Sequence, residues 1–173
     1  MSKLIDEIRF TQELIKIPSI TPRDLGAMNV VTKHLKKLGF KCKLMSFQKK
    51  GTEKIINLYA RYGNKSPNLC FAGHTDVVPA GDLAAWSIDP FKAKIKKGYL
   101  FGRGVSDMKG AIGCFVSAVS QFLNQNKKFN GSISFLITGD EEGIAVNGTK
   151  RVIEYLKKKR EKIDFCIVGE PSN

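Results

Sequence analysis

From residue 68 onward the chain alternates short apolar runs with longer segments of helical period, and this alternation restricts the fold more than any other feature. "NLCFAG" (68–73), "GSISFLITG" (131–139) and "DFCIVG" (164–169) are strand-length and almost unbroken in apolar character. Strands with one wet face alternate apolar and polar residues, whereas strands covered on both faces read as continuous apolar runs. Between these runs the spacing predicts a helix from about Met108 to Asn124 and another near 148–160. Connections of that length suit crossovers between parallel strands, not hairpins. The expectation is an α/β three-layer sandwich with a largely parallel mixed sheet and helices on both faces.

The rest of the chain supplies further elements. "LIDEIRFTQELIKI" has helical spacing and stops at Pro18, which cannot continue a helix. A second helix is predicted over 21–39, with Thr21 as N-cap, Pro22 at the first helical position and Gly39 as terminator. Its apolar stripe is Leu25, Met28, Val31, Leu35 and Leu38, and His34 beside it reads as a surface histidine. Strands are expected at 40–47 and 55–62, and "FKAKI" with "YLFGRG" forms a hairpin joined through Lys96-Lys97-Gly98. Gly110 and Gly113 weaken the third helix, so close packing is the expected reason for them.

The 173 residues fit one domain with a substantial core. Lys and Arg number 29 against 16 Asp and Glu, a formal charge of +13. These cations are scattered, and no basic stretch is interleaved with aromatics as a nucleic-acid reader requires, so a solvated Lys-rich surface is expected and nucleic acid is not. Cys42, Cys70, Cys114 and Cys166 form no C-x-x-C pair and read as buried free thiols of a reducing compartment. "MSKLIDEIRF" lacks a signal-peptide core, and no apolar run approaches a membrane span, so the expected setting is cytoplasmic with no membrane partner.

Four apolar runs end in conspicuous polar groups. "NLCFAG" leads to His74 and Asp76, "YLFGRGVS" to Asp107, "ISFLITG" to Asp140, Glu141 and Glu142, and "FCIVG" to Glu170. Ligands of open α/β sheets bind outside the carboxyl ends of the strands, so parallel strands bring these loops to one edge. Taken singly, Asp107 reads equally as an N-cap, the acidic run as a solvated loop, and His74 with Asp76 as a local pair. Together, six carboxylates and one histidine repel unless a cation neutralises them, which suits a zinc-like ion or a pair of ions. Asp76 is placed to orient His74, and a remaining carboxylate can act as general base. Metal-assisted hydrolysis fits best, with a metal-binding module that does no chemistry as the alternative. G-x-S-x-G, H-E-x-x-H and Walker A patterns are absent from the sequence.

"GHTDVVPAGD", "WSIDPF", "GRGVSDMKG", "TGDEEG" and "IVGEP" occur in the order in which the M20 family of metallo-aminoacylases and peptidases carries them, and the chain resembles that family along essentially its whole length. The resemblance implies a zinc-peptidase-like catalytic domain that hydrolyses a small N-acyl amino acid at its amide bond. It implies that His74 and Glu170 hold one Zn²⁺, that Asp107 bridges to a second, and that Glu142 holds the second. Glu141 is then the general base and acid, and Asp76 orients and polarises His74. The family uses two zinc ions per complete subunit, with Co²⁺ as a substitute.

The resemblance also implies that residues 1–173 are the N-terminal portion of the catalytic domain. A lid domain, through which the complete protein is expected to form a homodimer, and a late histidine of the second zinc site have no counterpart in this sequence. One well-formed metal site, negligible activity and exposed apolar surface are therefore expected of the chain by itself.

Overall fold

The computed structural model describes residues 4–126 and 128–171. Helices α1 (Glu7–Ile15) and α2 (Ala27–Lys37) precede strands β1 (Lys41–Phe47), β2 (Ile55–Tyr62) and β3 (Asn68–His74). A small hairpin of β4 (Lys94–Lys96) and β5 (Tyr99–Phe101) leads into helix α3 (Gly110–Gln125). Strand β6 (Ser132–Thr138), helix α4 (Thr149–Lys158) and strand β7 (Phe165–Val168) follow.

Among the described residues the main sheet has the order β1-β2-β6-β3-β7. β3 lies parallel to β6 and β7, while β2 is antiparallel to both of its neighbours, β1 and β6. The sheet is thus mixed, with β2 alone running against the rest. The chain leaves β3 through α3 to reach β6, then leaves β6 through α4 and passes back across β3 to β7. Right-handed crossovers that travel in opposite directions place their helices on opposite faces. α3 accordingly shares a core with α1 and α2 against Leu58, Phe71, Phe135 and Ile137. On the other face α4 buries Val152 and Leu156 against Met45, Tyr59, Cys70 and Leu136. The alternation of Phe135, Leu136 and Ile137 between the two cores explains why β6 is buried throughout, since each such apolar side chain contributes roughly 1.5–3 kcal/mol of burial. Neighbouring strands β3 and β6 send their connections to opposite faces, and ligands of open α/β sheets bind at such a switch point, beside the strands' carboxyl ends.

Gly113 lets α3 approach α1: a Cβ there would stand 2.1 Å from Thr11 Oγ1 and 3.0 Å from the Glu7 carbonyl. Close packing is therefore its reason, as expected. Several boundaries differ from expectation. α2 begins at Ala27, and its first turn is held by Asp24, whose carboxylate accepts from Gly26 N and Met28 N, both at 2.9 Å. Thr21 is not its N-cap, because residues 19–21 are bonded instead to the loop after β3, and Leu25 is exposed outside the helix. α3 starts at Gly110, after a distorted turn Val105–Lys109 in which Asp107 and Met108 leave helical geometry. Cys70 is buried but Cys114 and Cys166 are exposed, which corrects the expectation of four buried thiols. No helix among the described residues is long and apolar enough to cross a membrane.

Candidate metal centre

His74 is the last residue of β3 and is fully buried at the carboxyl end of that strand. Its Nδ1 lies 2.8 Å from the backbone carbonyl of Asp76 and 3.6 Å from the Asp76 carboxylate. A proton on Nδ1 is donated to that carbonyl, which leaves the Nε2 lone pair facing a group of acids. Nε2 stands 3.0 Å from Asp107, 3.5 Å from Glu170 and 3.8 Å from Glu141. His74, Asp107 and Glu170 offer ligand atoms all within 4.8 Å of one another, and so do His74, Glu141 and Glu142.

Each acid arrives by a different route. Glu170 follows β7, which is in parallel register with β3. Glu141 and Glu142 follow β6. Asp107 does not come from a strand of the main sheet; it hangs from the turn between the β4–β5 hairpin and α3. It is not the N-cap of α3 either, since Lys109 holds that position. Asp140 parts from the others, because its carboxylate accepts from Asn147 N and lines a separate cavity of about 380 Å³ with Thr21, Thr52 and Ile144. Five of the six expected carboxylates therefore gather near His74.

Asp76 is 1 % exposed and serves the loop after β6. Its carboxylate accepts the backbone N–H of Glu141 at 3.1 Å and that of Glu142 at 3.0 Å. Asp76 thus touches the site twice, through its carbonyl to His74 and through its carboxylate to the loop that presents two of the acids. The segment after α1 braces this arrangement: Ser19 Oγ donates to the Thr75 carbonyl at 2.6 Å, and Val77 N donates to the Ser19 carbonyl at 3.0 Å.

The electrostatics reflect crowded like charge. Burial alone would lower the pKa of His74, but the Asp76 carbonyl and the carboxylates of Asp76, Glu170 and Asp107 outweigh it and raise the value. Glu142 is raised by burial and by Asp107, and Glu170 by burial and by Asp107 and Glu141. Among the described residues no Lys or Arg is ion-paired with any of these acids. A buried imidazole presenting a lone pair to several carboxylates without a countercharge is a donor set that fits a divalent cation of the zinc type.

Two neighbours gave no signal in the sequence. Lys109 is fully buried, donating from Nζ to the carbonyls of Leu14 at 3.0 Å and Ile17 at 2.9 Å, and burial lowers its pKa to about 8. Met108 is fully buried beside His74. A lysine and a methionine after a serine and an aspartate read locally as an exposed helix start, and only the tertiary fold buries them.

The sequence pattern of peptidase family M20/M25/M40 matches residues 70–173. Succinyl-diaminopimelate desuccinylase of Pelagibacter ubique (strain HTCC1062) is 58% identical over 168 residues, spanning 97% of this chain and 44% of the relative. The protein of the same name from Rhodospirillum centenum (strain ATCC 51521 / SW) is 55% identical over 168 residues, with the same shares of 97% and 44%. The chain therefore spans less than half the length of these curated relatives. Among solved structures, the M20 family metallo-carboxypeptidase Sso-CP2 from Sulfolobus solfataricus matches with a TM-score of 0.80 at 27% identity, over 96% of this chain and 38% of that one. Human carnosine dipeptidase 1 matches with a TM-score of 0.81 at 25% identity, over 95% and 38%.

Proposed function

The chain belongs to peptidase family M20/M25/M40, and from that premise we propose that it forms the metal-bearing part of an enzyme that hydrolyses the succinyl amide of N-succinyl-LL-2,6-diaminopimelate. The products are succinate and LL-2,6-diaminopimelate, a cytoplasmic step of bacterial lysine and peptidoglycan-precursor synthesis. The gathering of His74, Asp107 and Glu170 with Glu141 and Glu142 at one sheet edge carries the hydrolytic reading. The 58% identity to a protein named succinyl-diaminopimelate desuccinylase supports the substrate. We propose equally that residues 1–173 are the N-terminal portion of a catalytic domain, and that the complete protein is a homodimer.

In this proposal His74, Asp107 and Glu170 would hold one Zn²⁺, and Asp107 with Glu142 would hold a second, with Co²⁺ as a substitute. Bound divalent cations supply positive charge that polarises an amide carbonyl and makes water more acidic. The chain's own residues do the rest. Glu141, whose side chain is 51% exposed beside His74, takes a proton from water and returns it to the departing amine nitrogen. Asp76 holds the backbone of Glu141 and Glu142, so the base and its neighbouring ligand keep their places. The hydrogen bond from His74 Nδ1 to the Asp76 carbonyl keeps Nε2 turned toward the acids.

The test uses this chain together with whatever sequence its reading frame adds. Release of succinate from N-succinyl-LL-2,6-diaminopimelate is compared with deacetylation of N-acetylornithine, and zinc content is measured in parallel. Desuccinylation is expected to dominate, and Glu141→Gln is expected to lose about 10²–10⁴ in rate with zinc content unchanged. A preference for acetylornithine would remove the substrate assignment, and a fully active Glu141→Gln variant would remove the base.

A further inference from the structure

Each of the three candidate ligands His74, Asp107 and Glu170 is adjacent in sequence to a member of one small packed cluster: Gly73, Met108 and Gly169. Met108 is fully buried, and its sulfur accepts the backbone N–H of His74 at 3.2 Å. A Cβ on Gly73 would stand 2.5 Å from the Met108 methyl and 3.1 Å from its sulfur. A Cβ on Gly169 would stand 2.9 Å from the same methyl and 2.5 Å from the Phe71 ring. The thioether therefore occupies the room that two glycines leave at the adjacent carboxyl ends of β3 and β7.

We propose that Met108 is a positioning residue, a wedge between the ends of β3 and β7 that sets the spacing of His74, Asp107 and Glu170. The inference rests on the metal-centre reading above. An unbranched, polarisable side chain suits this place, because its methyl end reaches the two glycine backbones and its sulfur still accepts a weak hydrogen bond. The neighbouring residues fix the wedge from both sides. Asp107 meets His74 Nε2, and the Lys109 ammonium is tied to the carbonyls of Leu14 and Ile17. The turn Val105–Lys109 is thus pinned at three consecutive side chains, and the Met108 thioether passes that constraint to both strand ends.

The experiment uses the chain with Met108→Leu, Met108→Ala, Gly73→Ala and the double variant Gly73→Ala/Met108→Ala. Zinc affinity is read by competition with a chromophoric chelator, ligand geometry by the visible absorption of the Co²⁺ form, and folding by thermal melting without metal. Gly73→Ala and Met108→Ala are each expected to weaken zinc binding by about tenfold or more and to alter the Co²⁺ spectrum, as disturbance of groups that support ligands does. In the double variant the new methyl enters the space the thioether leaves, so its loss is expected to be smaller than the product of the two single losses. Met108→Leu conserves volume and is expected to melt close to wild type, yet to change the Co²⁺ spectrum because His74 N–H loses its acceptor. A Met108→Leu spectrum identical to wild type, or single-variant losses that multiply fully in the double variant, would overturn the wedge while leaving the metal centre standing. Failure of the wild-type chain to bind zinc would overturn the metal-centre reading, and the wedge with it.

Discussion

The two ends of the parallel strands are built from similar side chains and balance them differently. At the amino ends, where β3, β6 and β7 begin, Glu161 accepts from Tyr59 Oη at 2.8 Å and is ion-paired with Arg61. Arg61 in turn donates to Ser132 at 2.8 Å. Asp164 accepts the backbone N–H of Asn68 at 2.8 Å and is ion-paired with Lys162. Every acid there has a cation beside it. At the carboxyl ends five carboxylates surround one buried histidine, and none has a Lys or Arg ion pair among the described residues. A polar cluster that serves stability closes on itself, whereas one that serves a ligand leaves charge for the ligand to complete.

The largest effect expected from this contrast is at the carboxyl ends. Zinc at about 100 times its dissociation constant adds about 2.7 kcal/mol to the stability of a protein that binds it only when folded. For a chain of this size that is a rise of about 5–10 °C in melting temperature. His74→Ala is expected to weaken zinc binding by at least about 100-fold and to abolish most of that rise, as calorimetry with and without zinc would register. If zinc raised the melting temperature of His74→Ala as much as that of wild type, the two ends would not differ in the way described.

The amino ends should respond in the opposite sense. Glu161→Ala leaves a half-buried Arg61 without its carboxylate and the Tyr59 hydroxyl without its acceptor. A loss of about 2 kcal/mol in urea unfolding is expected, with zinc affinity unchanged within about twofold because the cluster lies at the far end of the strands. A zinc affinity that fell in step with stability would show that the two ends are coupled through β3.

How legible these ends are in the sequence depends on how local their causes are. Strands β3, β6 and β7, α4 and the turn between β4 and β5 follow from local period and local backbone preference, and they lie within a residue or two of expectation. All five acids beside His74 were named from the sequence as well, since residues that end apolar runs in an α/β chain meet at one edge. Asp107 reaches that edge by a tertiary route that no period encodes, through a hairpin outside the main sheet. The start of α2 was missed because Thr21-Pro22 and Asp24 both carry capping signals, and the bonding of residues 19–21 to the loop after β3 decides between them. Asp140 stands in the same acidic run as Glu141 and Glu142, and only the contact with Asn147 turns it away. The amino-end cluster was invisible for the same reason: its members come from four separate stretches, and none of them is unusual alone.

Tyr59 gives the smallest of these effects and the most specific readout of a closed cluster. It is 8% exposed. Burial, reinforced by the Glu161 carboxylate and opposed by the hydrogen bond that Asn68 donates, pushes its hydroxyl up to about 12. An unfolded chain ionises tyrosine near 10. Below that pH both states hold the proton, so the stabilisation is fully present; between about 10 and 12 the unfolded state releases the proton first, and stability falls as pH rises. The two-unit interval corresponds to about 1–2 kcal/mol after allowance for partial solvation. Tyr59→Phe should therefore lose about 1 kcal/mol at neutral pH and then resist alkali better than wild type, so that the two stability curves converge or cross above about pH 10. Lysine deprotonation affects both proteins alike and cancels in the difference. Parallel curves would mean that the Tyr59 hydroxyl is already open to water, and that the amino-end cluster is less closed than its hydrogen bonds indicate.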